Sequence, residues 1–197
     1  MAKLDQARIV ALNVLNGHSD SRLSSDHVMP TIDSSLRNSR DRRFTRNLVL
    51  GSLRWRLRLD WIIDQYSNQP TKKLQTSVLN ILRLGVLQIE FMDRIPNHAA
   101  VFSSVQLAKH FKIRSASSYI NAVLRTFLRK HRTLEYPDVT KDPVNFLSTY
   151  YSHPEWLTAK WLKRWGFKQT STILNANNEP SGTWLRPNPM RDNYKKW

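Results

Sequence analysis

SRDRRFTRNLVLGSLRWRLRL, residues Ser39 to Leu59, is the stretch that decides the predicted fold. At about 100° per residue, one side of it is apolar, and this side carries Phe44, Leu48, Trp55 and Leu59. A second apolar patch on a different side consists of Leu50, Leu53 and Leu57. Because a helix that is apolar on two sides is usually buried between neighbours, the pattern predicts one central helix over the whole stretch.

A polar sector separates the two apolar patches. If the helix is unbroken, this sector is roughly 60° wide and consists of Arg40, Arg43, Asn47, Arg54 and Arg58. Two interpretations stay open: the arginines extend from a packed helix and bind nothing, or they face phosphate groups. The basic character of the whole chain favours phosphate. A turn near Arg56 would detach Arg58 from the others.

The charge of the chain points to a polyanionic partner. Its 197 residues include 31 Lys and Arg against 15 Asp and Glu, which gives a net charge of +16 and a pI near 10.6. RNA, DNA and anionic lipid are the candidate polyanions. Arginine is prominent among the basic residues, and its planar group suits phosphates and bases, so nucleic acid is favoured.

The composition of the chain argues against several classes of function. With no cysteine, this chain builds neither a disulfide nor a thiolate metal site nor a cysteine nucleophile, which fits a cytoplasmic protein. It has only five glycines and no glycine-rich phosphate loop, and its six histidines are dispersed.

No secretion signal and no apolar run of about 18 residues is found. Asp60 and Asp64 are expected to be solvated carboxylates without a metal. The residues alone indicate a binding module.

Helical periodicity continues on both sides of the opening stretch, and no strand pattern occurs before residue 133. Ser39 is the expected N-cap of the central helix, and Gly85 is expected to permit close helix contact. Arg125, Arg129 and Arg132 form a second basic row on a helix predicted over residues 115–130. We therefore predict an all-α fold, with a helical domain at 1–133, a linker at 134–145 and the beginning of another domain at 146–197.

The tail of the chain, residues 146–197, has a different sequence pattern. A helix is predicted from Pro154 to Gly166, and Trp184 to Arg186 could begin a strand. The tail tryptophans Trp156, Trp161, Trp165 and Trp184 are expected to pack in a core more readily than to stack on bases. These residues look too few to close a core alone.

Several motifs in order carry a family resemblance. They are DRRF (41–44), LVLGSLR (48–54), LD (59–60), LRLGVLQ (82–88), DRIPNHAAV (93–101), NAVLR (121–125) and YSHPEWL (151–157). Together they resemble the N-terminal part of the RsmB (Sun) family of bacterial small-subunit rRNA cytosine-5 methyltransferases. In the tail, NANNEP (175–180) and LRPN (185–188) resemble the family's segment before its catalytic domain.

The resemblance implies a NusB-like RNA-binding domain through about residue 133, followed by an incomplete start of the methyltransferase N-terminal subdomain. It implies S-adenosylmethionine for the full-length family but no cofactor and no catalytic residue in this chain, which is expected to be truncated and inactive alone. The RNA-binding residues expected are Arg40, Arg43, Arg46, Arg54, Arg58, Arg125 and Arg129. The expected partners are small-subunit rRNA and a ribosomal protein, without a membrane. Two alternatives stay open: a stand-alone NusB-like antitermination regulator and a protein-interaction scaffold.

Overall fold

A computed structural model describes residues 5–17, 25–130 and 133–179 of the chain. Every regular element within these residues is helical, which confirms the predicted all-α class. The helices are α1 (Gln6–Gly17), α2 (Ser25–Ser35), α3 (Ser39–Arg54), α4 (Arg56–Tyr66), α5 (Thr76–Phe91), α6 (Asn97–His110), α7 (Ser117–Lys130), α8 (Pro143–Tyr151) and α9 (Glu155–Asn178). Single 3-10 turns at Thr71–Lys73 and Arg114–Ala116 precede α5 and α7.

The predicted unbroken helix over residues 39–59 is wrong at Trp55. The chain leaves helical geometry there, with φ −94° and ψ 14°, so that α3 ends at Arg54 and α4 begins at Arg56. The Trp55 ring stacks on Phe91 with 4.5 Å between ring centroids. The N-cap also differs, because the side chain of Asn38, not Ser39, accepts a hydrogen bond from the Arg40 amide at 2.9 Å.

The centre of the bundle is α5, not α3. Helices α1, α3, α4, α6 and α7 all pack against α5. The second apolar patch predicted for the stretch is only partly buried: Leu50 and Leu53 are half-buried on α3, whereas Leu57, on α4, is 41% exposed. Gly85 explains the close approach of α6 and α7 to α5. A Cβ added there would lie 2.7 Å from Leu124 Cδ1 and 2.9 Å from the Ser104 hydroxyl oxygen, so the predicted role of Gly85 is confirmed.

The described part of the connection between α7 and α8, residues 133–142, packs against the bundle. Tyr136 stacks on Trp61 of α4 with centroids 4.8 Å apart, and α8 then packs on both α4 and α9. Leu147 and Leu174 are fully buried outside the main hydrophobic core. The division into domains at 133 and 146 stays a prediction.

In the tail, one prediction is confirmed and another is not. Gly166, with φ 72° and ψ 175°, leaves helical geometry, so the helix predicted to end at this residue does so, and a second helical segment follows directly and continues to Asn178 within α9. Trp156 and Trp165 are 69% and 37% exposed, so the expectation that they pack in a core is wrong for these two, whereas Trp161 is half-buried and its ring centroid lies 5.9 Å from that of Trp165. Trp184, the LRPN motif at 185–188 and Arg132 lie outside the described residues.

Candidate nucleic-acid interface

The exposed face of α3 carries a row of arginines that have no carboxylate partner in the described part of the chain. The buried face of this helix, with Leu48 and Val49, packs on the bundle, and the helical period places four exposed residues together on the opposite side. These residues are Arg40, Arg43, Asn47 and Arg54. Among the described residues, no carboxylate lies within 4.0 Å of the three guanidinium groups. The groups are therefore free to contact an external anion.

Arg46 lies beside this row and is paired. Its Nη2 atom is 2.5 Å from the Asp33 carboxylate of α2, and Arg42 Nε approaches the same carboxylate at 3.9 Å. All three side chains are more than a third exposed. Ion pairs that are exposed to this extent contribute little stability. One carboxylate facing two arginines leaves the local charge positive.

Arg58 is separated from the row by the turn at Trp55. It is 9% exposed, its Nη2 donates to Glu90 at 2.8 Å, and its Nη1 donates to the Tyr150 carbonyl at 3.3 Å. Four aromatic rings surround its guanidinium carbon at 4.6 to 5.5 Å from their centroids, namely Tyr150, Tyr136, Phe91 and Trp55. The predicted sector that included Arg58 is therefore wrong, and its charge is committed inside the protein.

This aromatic enclosure, which we call the Arg58 box, also affects a titratable neighbour. Burial raises the pKa of Tyr136 to about 12, although the positive charge of Arg58 opposes that rise. The Tyr136 hydroxyl is buried and has no hydrogen-bond partner among the described residues. The box thus joins α4 and α5 to α8 through one cation.

The second predicted row lies on α7, where Arg125 and Arg129 are both exposed. Arg125 Nε donates to Asn121 at 3.0 Å and Arg129 Nη2 donates to Thr126 at 3.2 Å, within the same helix. Neither side chain has a carboxylate partner in the part of the chain that is described. Helices α3 and α7 both pack against α5, and the two rows lie on different helices of the bundle.

Asp60 and Asp64 were expected to be solvated carboxylates. Asp64 is exposed, as expected, whereas Asp60 is partly buried beside Arg83. The Asp60 carboxylate accepts two hydrogen bonds from Arg83, at 2.6 and 2.7 Å. Asp64 accepts from the amide and hydroxyl of Thr71, at 2.7 and 3.0 Å. Across the described ranges, no three His, Cys, Asp or Glu side chains are grouped so that they could hold a metal ion. Likewise, no helix in those ranges has the length and apolarity needed to cross a membrane.

Sequence reasoning missed a further basic site. Arg56, Lys72 and Arg83 come from three separate segments, yet they line one cleft. The only local signal was the basic pair that follows Thr71 just before α5 begins. Without the fold, that pair could not be connected to Arg56.

Comparison with known families divides the chain in two. The NusB family model matches residues 5–129. A second family model, described as the RsmF/B-like methyltransferase ferredoxin-like domain, matches residues 153–197.

Curated relatives match nearly the whole chain. The probable ribosomal RNA small subunit methyltransferase B of Bacillus subtilis (strain 168) is 30% identical over 190 residues, which cover 96% of this chain and 42% of the relative. The ribosomal RNA small subunit methyltransferase B of Vibrio vulnificus (strain YJ016) is 33% identical and covers 95% of this chain and 43% of its own length. The Erwinia tasmaniensis enzyme of the same name is 28% identical over 100% of this chain and 44% of its own. The chain thus spans less than half the length of these relatives.

A solved structure has the same fold. A chain from the structure described as "Crystal Structure of a Plectonemic RNA Supercoil" superimposes with a TM-score of 0.57 and 21% identity, over 66% of this chain and 96% of that one. At this identity the likeness concerns the fold of the helical bundle alone.

Proposed function

This chain belongs to the NusB family, and from that membership we propose that it is the RNA-binding N-terminal region of an S-adenosylmethionine-dependent rRNA (cytosine-5) methyltransferase. The three relatives, each of which aligns with 95% or more of the chain, are named ribosomal RNA small subunit methyltransferase B, one of them as probable. The match of residues 153–197 to the RsmF/B-like domain favours this function over a stand-alone antitermination regulator, which would need only the helical bundle.

The observation that carries the proposal is the row of free arginines on α3. Arg40, Arg43 and Arg54 are exposed and have no carboxylate partner among the described residues. Arginine binds phosphate oxygens in a bidentate manner, and phosphate contacts position a protein on a nucleic acid without reading its sequence. We propose that these three residues hold the backbone of small-subunit rRNA.

The other predicted residues take different parts in this proposal. Arg46 would add a contact after exchanging Asp33 for a phosphate, because its present pair is exposed and weak. Arg125 and Arg129 would hold a separate stretch of RNA on α7. Arg58 would act indirectly, by fixing the turn at Trp55 that ends the row.

Methyl transfer is not assigned to the described residues. Their regular elements are all helices, and they offer no glycine-rich turn for a nucleotide-like cofactor, so they do not fit S-adenosylmethionine. We place that cofactor, and the chemistry it supplies, in the part of the relatives that this chain does not span. A cytoplasmic location and contact with a ribosomal protein belong to the same proposal.

The test compares two triple variants for binding to a fluorescently labelled fragment of small-subunit rRNA. One variant carries Arg40→Gln, Arg43→Gln and Arg54→Gln, which removes the row while keeping good helix formers on α3. The matched control removes three exposed charges elsewhere, through Arg94→Gln, Arg114→Gln and Lys163→Gln. Both variants have the same net charge.

We expect the row variant to bind about 10- to 100-fold more weakly near 0.15 M salt, as the loss of about three phosphate contacts predicts. The control should lose far less. Equal affinities of the row variant and the wild type would contradict the proposal, and equal losses in the two variants would reduce it to an effect of net charge. Partners that remain bound after ribonuclease treatment would instead favour a protein scaffold.

A further inference from the structure

A small polar cleft lies on the bundle where the turn at Trp55 meets the N-terminus of α5. Its volume is about 220 Å³, room for about seven water molecules at about 30 Å³ each, and below the range of about 300–1,000 Å³ typical of sites for drug-sized ligands. The polar residues that line it include Ser52, Arg56, Lys72, Thr76, Asn80 and Arg83. We propose that this cleft binds a phosphate group.

The charge of the cleft suits an oxyanion. Its lining residues include three cations and no carboxylate. Arg83 is already paired with Asp60 at 2.6 Å, whereas Arg56 and Lys72 are exposed and have no carboxylate within 4.0 Å among the described residues. Two positive charges at the mouth are therefore available to a ligand.

The first turn of α5 adds backbone N–H donors that no side chain caps. The first N–H groups of an α-helix have no acceptor within the helix, and no side chain caps α5 at Gln75. Thr76, the first residue of this helix of 16 residues, lines the cleft. Its neighbouring amides and the helix dipole favour an anion at this end.

Ser52, which also lines the cleft, has a buried hydroxyl group. It is 2% exposed, and its hydroxyl has no hydrogen-bond partner among the described residues. Buried serines in a helix commonly donate to the carbonyl four residues earlier, as Ser104 does to Ala100 at 2.8 Å. Ser52 does not, although it lines the same cleft as Arg56 and Lys72. A bound oxyanion would give this hydroxyl the partner that it lacks.

This site is distinct from the row on α3, whose members do not line the cleft. A phosphate group could reach it from the RNA backbone or as free inorganic phosphate, and both present the same oxygens. The inference therefore survives even if the α3 row does not bind RNA.

The test is a titration of the whole chain with inorganic phosphate at constant ionic strength, followed by amide NMR shifts. We expect saturating shifts at Thr76 and Ser77 and weaker binding, by about tenfold for each lost charge-assisted bond, in Arg56→Gln and Lys72→Gln. Lys73→Gln, which removes an adjacent exposed charge outside the cleft, should bind as the wild type does. Ser52→Ala should weaken binding without lowering thermal stability, because its hydroxyl has no partner to lose.

Absence of saturating shifts at the start of α5 would overturn the proposal. So would equal weakening by Lys72→Gln and Lys73→Gln, since a diffuse charge effect would then suffice. In a second arm, an RNA oligonucleotide is added to the phosphate-saturated protein. Displacement of phosphate by RNA would identify the backbone as the source of the group, and retention of phosphate would identify the free ion.

Discussion

Replacement of Arg58 by methionine tests how the bundle is joined to the tail. Methionine fills a similar volume with apolar atoms but removes the cation that Glu90 and four aromatic rings share. The side chains of Arg58 and Glu90 are only 11% and 20% exposed. Glu90 would therefore remain as a largely buried carboxylate without its partner.

The magnitude follows from that burial. Breaking a buried ion pair by removing one partner costs about 3–5 kcal/mol, and the partial exposure of Glu90 reduces this to about 2–4 kcal/mol. A cation–π contact contributes about 0.5–2 kcal/mol when desolvated. Because the four rings share one cation, their contributions do not add up. We expect Arg58→Met to lower the free energy of unfolding by about 3 kcal/mol.

Urea denaturation, followed by tryptophan fluorescence and circular dichroism, measures this loss. Arg58→Lys keeps the charge but not the planar group and should lose less, about 1–2 kcal/mol. The double variant Arg58→Met with Glu90→Gln should recover part of the loss, with a coupling energy of about 1–3 kcal/mol. A loss below about 0.5 kcal/mol for Arg58→Met, or strict additivity in the double variant, would refute the reasoning.

Two further predictions concern the packing of α5 and the Arg58 box. Gly85→Ala should destabilise the protein by about 1–2 kcal/mol, because overpacking against Leu124 outweighs the gain in helix propensity; a thermal melt checks this against Gly17→Ala, where nothing lies within 4 Å of the added Cβ. Tyr136→Phe should leave the stability at neutral pH nearly unchanged. At alkaline pH the variant should lose less stability than the wild type. The pKa of Tyr136 is raised to about 12, so its contribution is complete below the unfolded-state value near 10 and is lost as pH rises toward about 12. Melting temperatures from pH 8 to about 11 that fall in parallel for Tyr136→Phe and wild type would contradict this.

The sequence predicted those helices whose boundaries depend on local signals. The helix predicted over residues 115–130 and the close contact at Gly85 were both confirmed. The row Arg40, Arg43 and Arg54 was predictable as a set because its members share one helix.

The break at Trp55 could not be predicted from local sequence. Residues 52–59 contain neither glycine nor proline, and their intrinsic preferences allow a continuous helix. The break coincides with tertiary contacts: Trp55 stacks on Phe91 and Arg58 reaches Glu90. Residues 91 and 90 are far away in the chain, and no periodicity encodes them. The cleft between Arg56 and Lys72 was missed for the same reason.

The salt dependence of RNA affinity shows whether the exposed row on α3 contacts RNA phosphates. The logarithm of the association constant is plotted against the logarithm of salt concentration for the wild type, the row variant and the matched control. Each phosphate contact on a single strand contributes about 0.7 to the slope, so the row variant should have a slope smaller by about 2, while the control keeps the wild-type value. Parallel lines for the wild type and the row variant would contradict the account.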